Sequence, residues 1–509
     1  MCVASLGSCA DMKTLALLLR AASADAGSAV ALLSDRHRLS YADTWRQVEQ
    51  LGCELQAAGL TPGKRVIAIT SLTVETVLML VAISWTGAII IPAVASGPGA
   101  DLNGVRQFSP CHLIGTAEHL EPFDVELCAE FRVGEKRYFL GRWEDDQDGD
   151  APTRDETIFL TSGTTDGPLG VVCSQAQIAF CQAAIQQRLR YVPQDRVLIG
   201  GPLSFDYHYY QLLLAFAARA TLVVCDQVQN PLAMADRILR MKVTVLPLIP
   251  YSFRLLLKSR MLERGDYSCV RLLSATGEVW PKREIELLAQ AFPAASVFPM
   301  YGLTECKRVS ILDQRLNPEL LGAVGFPLTG TRVQIFDPNH SALSTGDVGE
   351  IAVEGPHLAD GYFQRPEATC RRFHQHPDGR RFLLTGDQGY LDERGALWFV
   401  GRDTQLIKYR GIRTSAAAIE TAFLQCPNVQ RAVAMNVLTR SGEKVAVMIE
   451  LADQSAAGDT KIAETVRSLW PLHGQPDYFE FGFIPLLANG KPARAKVATL
   501  LHERCTRIE

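Results

Sequence analysis

Stretches with apolar residues at helical spacing alternate with short β-branched runs along most of this chain, and that alternation predicts its architecture. A first amphipathic helix is expected around Leu15–Leu19, where Arg20 interrupts the apolar run too early for a secretory leader. A second, from about Ala42 to Ala58, ends at Gly59, and Gly63 turns the chain into a strand over Arg65–Ile69. Val77 to Val94 is apolar enough to mimic a membrane span, but Trp85-Thr86-Gly87 and Pro92 divide it. It is predicted as a buried helix (Val74–Ser84) and a core strand (Ala88–Pro92), with no membrane span.

From Thr157 to Pro299 the rhythm becomes regular. Strands are predicted at Val197–Gly200, Thr221–Val224, Val243–Leu246, Val270–Ala275 and Ser296–Phe298. Helices are predicted between and around them at Ser174–Arg190, Tyr207–Ala217, Pro231–Met241, Tyr251–Leu262 and Pro281–Ala291. Strands separated by helices imply largely parallel sheets with helices on their faces. From Arg308 to Val400 strands such as Arg332–Phe336 and Gly349–Val353 follow one another without long helices, which predicts a β-rich subdomain. The last hundred or so residues return to a mixed pattern. The expected fold is therefore α/β: a large N-terminal lobe (1–402) of helix-covered sheets plus the β-rich part, and a small α+β lobe (403–509).

Composition narrows the function classes. A chain of 509 residues is too long for one core, and 47% hydrophobic with 21% charged residues argues against disorder. A formal net charge of -4 offers no basic surface for nucleic acid. Thirteen cysteines, spread from Cys2 to Cys505 without a C-x-x-C pair, fit free thiols in a reducing cytoplasm. His374-x-His376 lacks a third ligand nearby, so a metal centre is not expected there.

One loop stands out chemically. Thr157–Thr161 reads as a buried strand and breaks into Thr161, Ser162, Gly163, Thr164, Thr165, Asp166 and Gly167 before Pro168. Hydroxyls and closely approachable backbone amides suit such a loop to phosphate oxygens, although a polar hairpin turn has the same composition. It is not a P-loop, because no Gly-Lys-Ser/Thr follows.

Downstream stand MYGLTE (300–305), LLTGDQGYLDERGALWFVGR (383–402), LIKYRGIR (406–413) and LANGKPAR (487–494). With the loop after Thr157 they make five motifs, which in order and spacing resemble the AMP-forming adenylating superfamily of acyl-CoA synthetases, carrier-protein adenylation enzymes and luciferases. The resemblance covers nearly the whole chain. It implies ATP-dependent adenylation of a carboxylic acid, an amino acid or another small acid, followed by thioester formation on a phosphopantetheine thiol. That thiol belongs to a separate carrier protein or to CoA, since no carrier motif is recognisable here. Fatty- or aryl-acyl ligation, transfer to an amine, and a relative that binds nucleotide without turnover remain the alternatives.

Residue by residue, the resemblance implies a phosphate cradle at Thr161, Ser162, Gly163, Thr164 and Thr165. Asp166 and Leu169 depart from the family pattern, where glycine and lysine stand, which implies weaker ATP binding by about tenfold. Tyr301 and Gly302 would offer a flat surface to adenine, beside Gly277 and Glu278; Thr304 would touch the α-phosphate and Glu305 would hold Mg2+. Asp387 would accept from both ribose hydroxyls, with Arg402 supplying a cation on the same side. The small lobe would hinge next to Thr404, another departure, and carry Lys491 to the reacting carboxylate and phosphate. An Asn-Gly-Lys triad alone is the ordinary sequence of a hairpin turn; the other motifs are what single it out. The acyl group would lie among Asp206, Tyr207, Tyr210, Leu273, Ala275, Met300, Arg308 and Val309. Asp206 matches the aspartate that pairs with an α-ammonium in amino-acid-activating relatives, or is a helix N-cap. Arg308 reads a second polar or anionic group, or faces solvent.

Overall fold

The computed structural model describes residues 13–94, 106–108, 110–143, 155–161, 168–225, 230–278, 280–402, 406–409, 412–426, 428–439, 442–452, 476–486 and 491–508. Ser162, Gly163, Thr164, Thr165, Asp166 and Thr404 lie outside them, as does the predicted lobe boundary at 403.

Two large sheets organise the N-terminal part. One has eight strands and includes Arg65–Ile69, Ile89–Ala93 and the Asp155–Leu160/Gly170–Ser174 pair. The other has nine, with Arg196–Ile199, Thr221–Val224, Val245–Pro247, Leu272–Ala275 and Ser296–Tyr301 running parallel. The helices Thr14–Ala26, Gln175–Leu189 and Asp206–Ala218 lie in a core shared by both sheets, where Ile90 and Phe159 of one meet Ile199 and Phe298 of the other. A helix held between two sheets has no solvent face, and Asp206–Ala218 is buried along nearly its whole length. The same is true of Val74–Thr86, buried at every position: its unbroken apolar run serves packing, and no described helix is long and apolar enough to cross a membrane. Helices Pro231–Arg240, Pro250–Lys258 and Lys282–Ala291 cover the outer face of the nine-stranded sheet over a separate core.

Local signals account for the boundaries. Ser40 and Thr73 cap their helices by accepting from the amides of Asp43 and Thr76, and Gly87 ends the second of these helices in the left-handed region at φ 80°. The single helix expected over Tyr251–Leu262 is instead Pro250–Lys258 followed by a short 3-10 turn at Met261–Glu263, because Arg260 adopts φ 53° between them. The strand expected at Val243–Leu246 begins two residues later, and the one expected at Ser296–Phe298 continues to Tyr301. The antiparallel pairs Val30–Leu33/Arg38–Ser40 and Glu126–Val133/Lys136–Arg142 have no counterpart among the predicted elements. Beyond Arg308 the β-rich part forms a five-stranded sheet that includes Arg332–Phe336, Gly349–Glu354, Arg381–Leu391 and Leu397–Arg402.

The C-terminal residues build their own cores. Val429–Thr439, Gly442–Leu451 and Tyr478–Phe481 form a three-stranded sheet, packed by Ala416–Leu424 on one face and Arg494–Ile508 on the other.

Candidate active site

In an open sheet of parallel strands, the carboxyl ends of the strands are where loops converge and ligands bind. Three such ends meet here. Phe205 and Asp206 follow the strand Arg196–Ile199, Thr276 and Gly277 follow Leu272–Ala275, and Gly302 follows Ser296–Tyr301. The last strand turns back as an antiparallel hairpin with Ser310–Ile311, so MYGLTE and Arg308 belong to one tight loop. Gly302 makes that loop possible. A Cβ at this position would sit 2.2 Å from the Lys307 carbonyl oxygen and 2.9 Å from the Arg308 Cα. Lys307 itself takes φ 57°, and its side chain turns into the core to donate to the His357 carbonyl at 3.4 Å.

Tyr301 is buried at the strand end, its ring 5.9 Å from that of Phe399, and its hydroxyl donates to Asp387 Oδ2 at 2.7 Å. Arg402 Nε donates to the other oxygen of Asp387 at 2.9 Å, across the antiparallel pair that sets the two residues opposite each other. Burial raises the Asp387 carboxyl pKa, while Arg402 and the Tyr301 hydroxyl pull it down. Each carboxylate oxygen has two acceptor sites, so Asp387 keeps capacity for further donors. Glu305 is buried on the same loop and accepts from the Tyr362 hydroxyl at 2.6 Å; Thr304 is half-buried beside it.

Lys491 comes to this place from the C-terminal sheet side. The antiparallel bridge Leu486–Pro492 closes the loop that carries it. Its ammonium lies 5.5 Å from the Phe205 ring centroid, and a Cβ on Gly277 would be 3.1 Å from its Cε. Gly277, at φ 94°, is thus where a side chain would collide with the lysine. Burial lowers the Lys491 pKa, joined by Arg402; Glu278, Asp206 and Asp387 oppose the shift. Glu278 is half-buried, raised by its own burial and drawn down by Arg254 and Lys491.

The acyl side is defined by the Asp206–Ala218 helix. Asp206 is its first residue, not its cap: Phe205 occupies the N-cap position. The Asp206 carboxyl is buried and its pKa raised, with Arg308 the strongest of the nearby cations that draw it down. Tyr207 is anchored by its hydroxyl, 2.8 Å from both the carbonyl oxygen and the hydroxyl of Ser274. Tyr210 is buried one helical turn further along the same helix. Met300 and Val309 pack in the same core as Tyr207 and Tyr210. Arg308 is 3% exposed and so does not face solvent; its guanidinium lies 5.0 Å from the Tyr207 ring centroid, and Nη1 donates to the Thr276 hydroxyl at 3.2 Å.

Leu273 and Ala275 are placed differently from the expectation. Both point to the outer face of the sheet, into the core with Phe253 and Trp280. Successive strand residues face opposite ways, so the residues facing Tyr207 and Arg308 are Ser274 and Thr276. Pairing of Ser274 with Phe298, and hence the side shared with Met300, is the signal that would have found them. Of the phosphate cradle only Thr161 is described: its amide and hydroxyl donate to the Leu169 carbonyl, at 2.9 and 3.3 Å, closing the neck of a hairpin. Leu169 packs its side chain on the central core, as leucine should where the family carries lysine.

Two helix-covered sheets, a β-rich part and a small C-terminal part thus bring a lysine to the strand ends. The chain belongs to the AMP-binding enzyme family, whose model matches residues 19–363. Among curated relatives, tyrocidine synthase 3 of Brevibacillus parabrevis is 26% identical over 91% of this chain, which spans 7% of that protein's length. Novobiocin biosynthesis protein H of Streptomyces niveus is 26% identical over 92% of this chain and 79% of its own. Among solved structures, ATP-bound MatB from Rhodopseudomonas palustris superposes with a TM-score of 0.82 at 22% identity, covering 97% of this chain and all of the other. The amide bond synthetase McbA from Marinactinospora thermotolerans superposes with a TM-score of 0.78 at 24% identity, over 96% of this chain and 99% of its own.

Proposed function

We propose that this enzyme activates a small carboxylic acid, an amino acid in the first instance, as its acyl-adenylate and hands the acyl group to a phosphopantetheine thiol of a carrier protein or CoA. The observation that carries this reading is the seating of Lys491 against Gly277 and Phe205, within electrostatic reach of the Asp206 and Asp387 carboxylates. A substrate carboxylate oxygen would attack the α-phosphorus of ATP, forming the P–O bond as pyrophosphate leaves. Lys491 would neutralise charge on the attacking and phosphoryl oxygens, where a preorganised cation in a drier site acts most strongly. Asp387 would hold the ribose hydroxyls, steadied by Tyr301 and Arg402, and Tyr301 with Gly302 would border the adenine. Thr304 would meet the α-phosphate and Asp206 the substrate's ammonium.

Among the described residues no three His, Cys, Asp or Glu side chains gather as a metal cage. A single buried carboxylate at Glu305 fits Mg2+, which is commonly held by one or two carboxylates together with substrate phosphates. The ion would offset phosphate charge there. We place the mobile lobe at 403–509, turning between an adenylating and a thiol-transfer pose, and the enzyme in the cytoplasm. An amine acceptor is the second reading, favoured by the likeness to an amide bond synthetase. Pyrophosphate–ATP exchange over a panel of amino, aryl and fatty acids tests the first half-reaction. Offering carrier protein, CoA and amines to the best acid tests the second. Nucleotide binding without exchange from any acid contradicts the proposal.

A further inference from the structure

Arg308 is the one residue of the acyl side whose charge the proposed reaction does not use. Its guanidinium is buried, yet among the described residues its contacts are a neutral hydroxyl, Thr276, and the Tyr207 ring. Nε is buried without any hydrogen-bond partner. The Asp206 carboxyl attracts it across the same cleft, but no ion pair joins the two. A buried arginine with no anion in direct contact is costly, and native proteins pair such charges. The local backbone is arranged to keep it there: Gly302 admits the close approach of Lys307 and Arg308, and Lys307 takes a left-handed conformation just before it.

Resting on the adenylation reading, we infer that the substrate is an amino acid with an acidic side chain, and that Arg308 holds that second acid group. Three charges of the pocket then find three of the ligand. Asp206 takes the α-ammonium, Lys491 takes the reacting carboxylate, and Arg308 takes the side-chain carboxylate through its planar fork. A neutral or apolar side chain would leave the guanidinium buried and unpaired. That penalty discriminates strongly, as it does wherever a buried polar group is left without its partner. Tyr207, clamped by Ser274, sets its ring under the guanidinium as a cation–π partner. Arg308 is in this account a specificity-determining residue; the chemistry at phosphorus does not pass through it.

The test compares acidic amino acids of two chain lengths with their side-chain amides, which match them in shape, in pyrophosphate exchange. The acids should exceed the amides in kcat/KM by roughly 10²-fold. Arg308→Gln should remove that preference by lowering the acids and sparing the amides, and Arg308→Lys should restore part of it. Circular-dichroism melts confirm that the variants fold. Wild-type enzyme that uses an amide or an apolar acid better, or a preference unmoved in Arg308→Gln, overturns the inference while leaving adenylation standing. If no acid supports exchange, the adenylation reading fails by itself. Calorimetric titration of the same acidic amino acids then judges Arg308: binding lost in Arg308→Gln supports its role, and no binding to wild type overturns it.

Discussion

Glu156 shows how far one residue can be read from its surroundings. Its carboxyl is fully buried, with Oε2 accepting from the Thr14 hydroxyl at 2.7 Å and Oε1 left without a partner. Burial pushes its pKa up to about 7 from an ordinary 4.5. The folded chain therefore holds a proton that the unfolded chain releases above the lower value. Stability from this group is complete below about pH 4.5 and is lost as pH rises through 7. The loss is on the order of 3 kcal/mol. Glu156→Gln should flatten the fall in melting temperature between pH 5 and 8 and raise it at pH 8. Parallel melting curves of wild type and variant across that range would contradict this. His208 is the opposite case, a buried imidazole pushed down to about 3 that weakens the fold as pH falls below its ordinary 6.5. Neither group could be recognised from the sequence, because nothing in a run of letters says that Glu156 ends under a helix N-terminus 142 positions earlier.

At the scale of elements, the hairpin from Ser296 to Ile311 positions the most chemistry. It presents Tyr301, Thr304, Glu305 and Arg308 within one turn, and it depends on Gly302 having no side chain. Gly302→Ala should push the returning strand outward and displace Thr304 and Glu305 along with Arg308, lowering acid-dependent exchange by roughly 10²-fold or more, the scale of misplaced reacting groups. Unaltered exchange in this variant would mean that the close approach does not matter to the site. Strongly periodic elements were legible in the sequence: Arg65–Ile69, Thr221–Val224 and Arg332–Phe336 stand at their expected bounds. Facing was less so. The strand Leu272–Ala275 is buried on both sides, so its apolar run carries no alternation to tell inner from outer residues. That is why Leu273 and Ala275 were expected where Ser274 and Thr276 stand. The hairpin Glu126–Arg142 was missed because its polar, half-exposed faces give a weak period.

The whole molecule holds Lys491 in place through contacts between the outer helices and the C-terminal part. Lys258 Nζ donates to the Val429 carbonyl at 2.6 Å, Arg254 to that of Gln430 at 3.3 Å and Arg283 to that of Gln425 at 3.2 Å. The Arg431 guanidinium lies 3.8 Å from the Tyr251 ring centroid. These contacts tie the outer helices of the nine-stranded sheet to the C-terminal sheet. If the small lobe turns between two poses, they belong to the one that engages Lys491. Lys258→Ala should therefore slow pyrophosphate exchange several-fold and leave thiol transfer from pre-made adenylate nearly intact. Burial pushes the Lys258 amine down to about 8 from 10.5. This pose accordingly favours the neutral amine and gains as pH rises from about 8 toward 10.5. Equal slowing of both half-reactions would show that the contact serves general stability instead.

Lys491 offers the most direct test of the account, because a catalytic lysine and a turn lysine differ in only one half-reaction. Acid-dependent pyrophosphate exchange and acyl transfer from pre-made adenylate are to be measured in parallel on wild type and Lys491→Ala. Exchange should fall by roughly 10²-fold or more, the effect of removing one preorganised charge from the transition state, while transfer falls far less. Exchange retained in the variant, or an equal loss of both steps, would contradict the claim that this lysine acts where the acyl-adenylate forms.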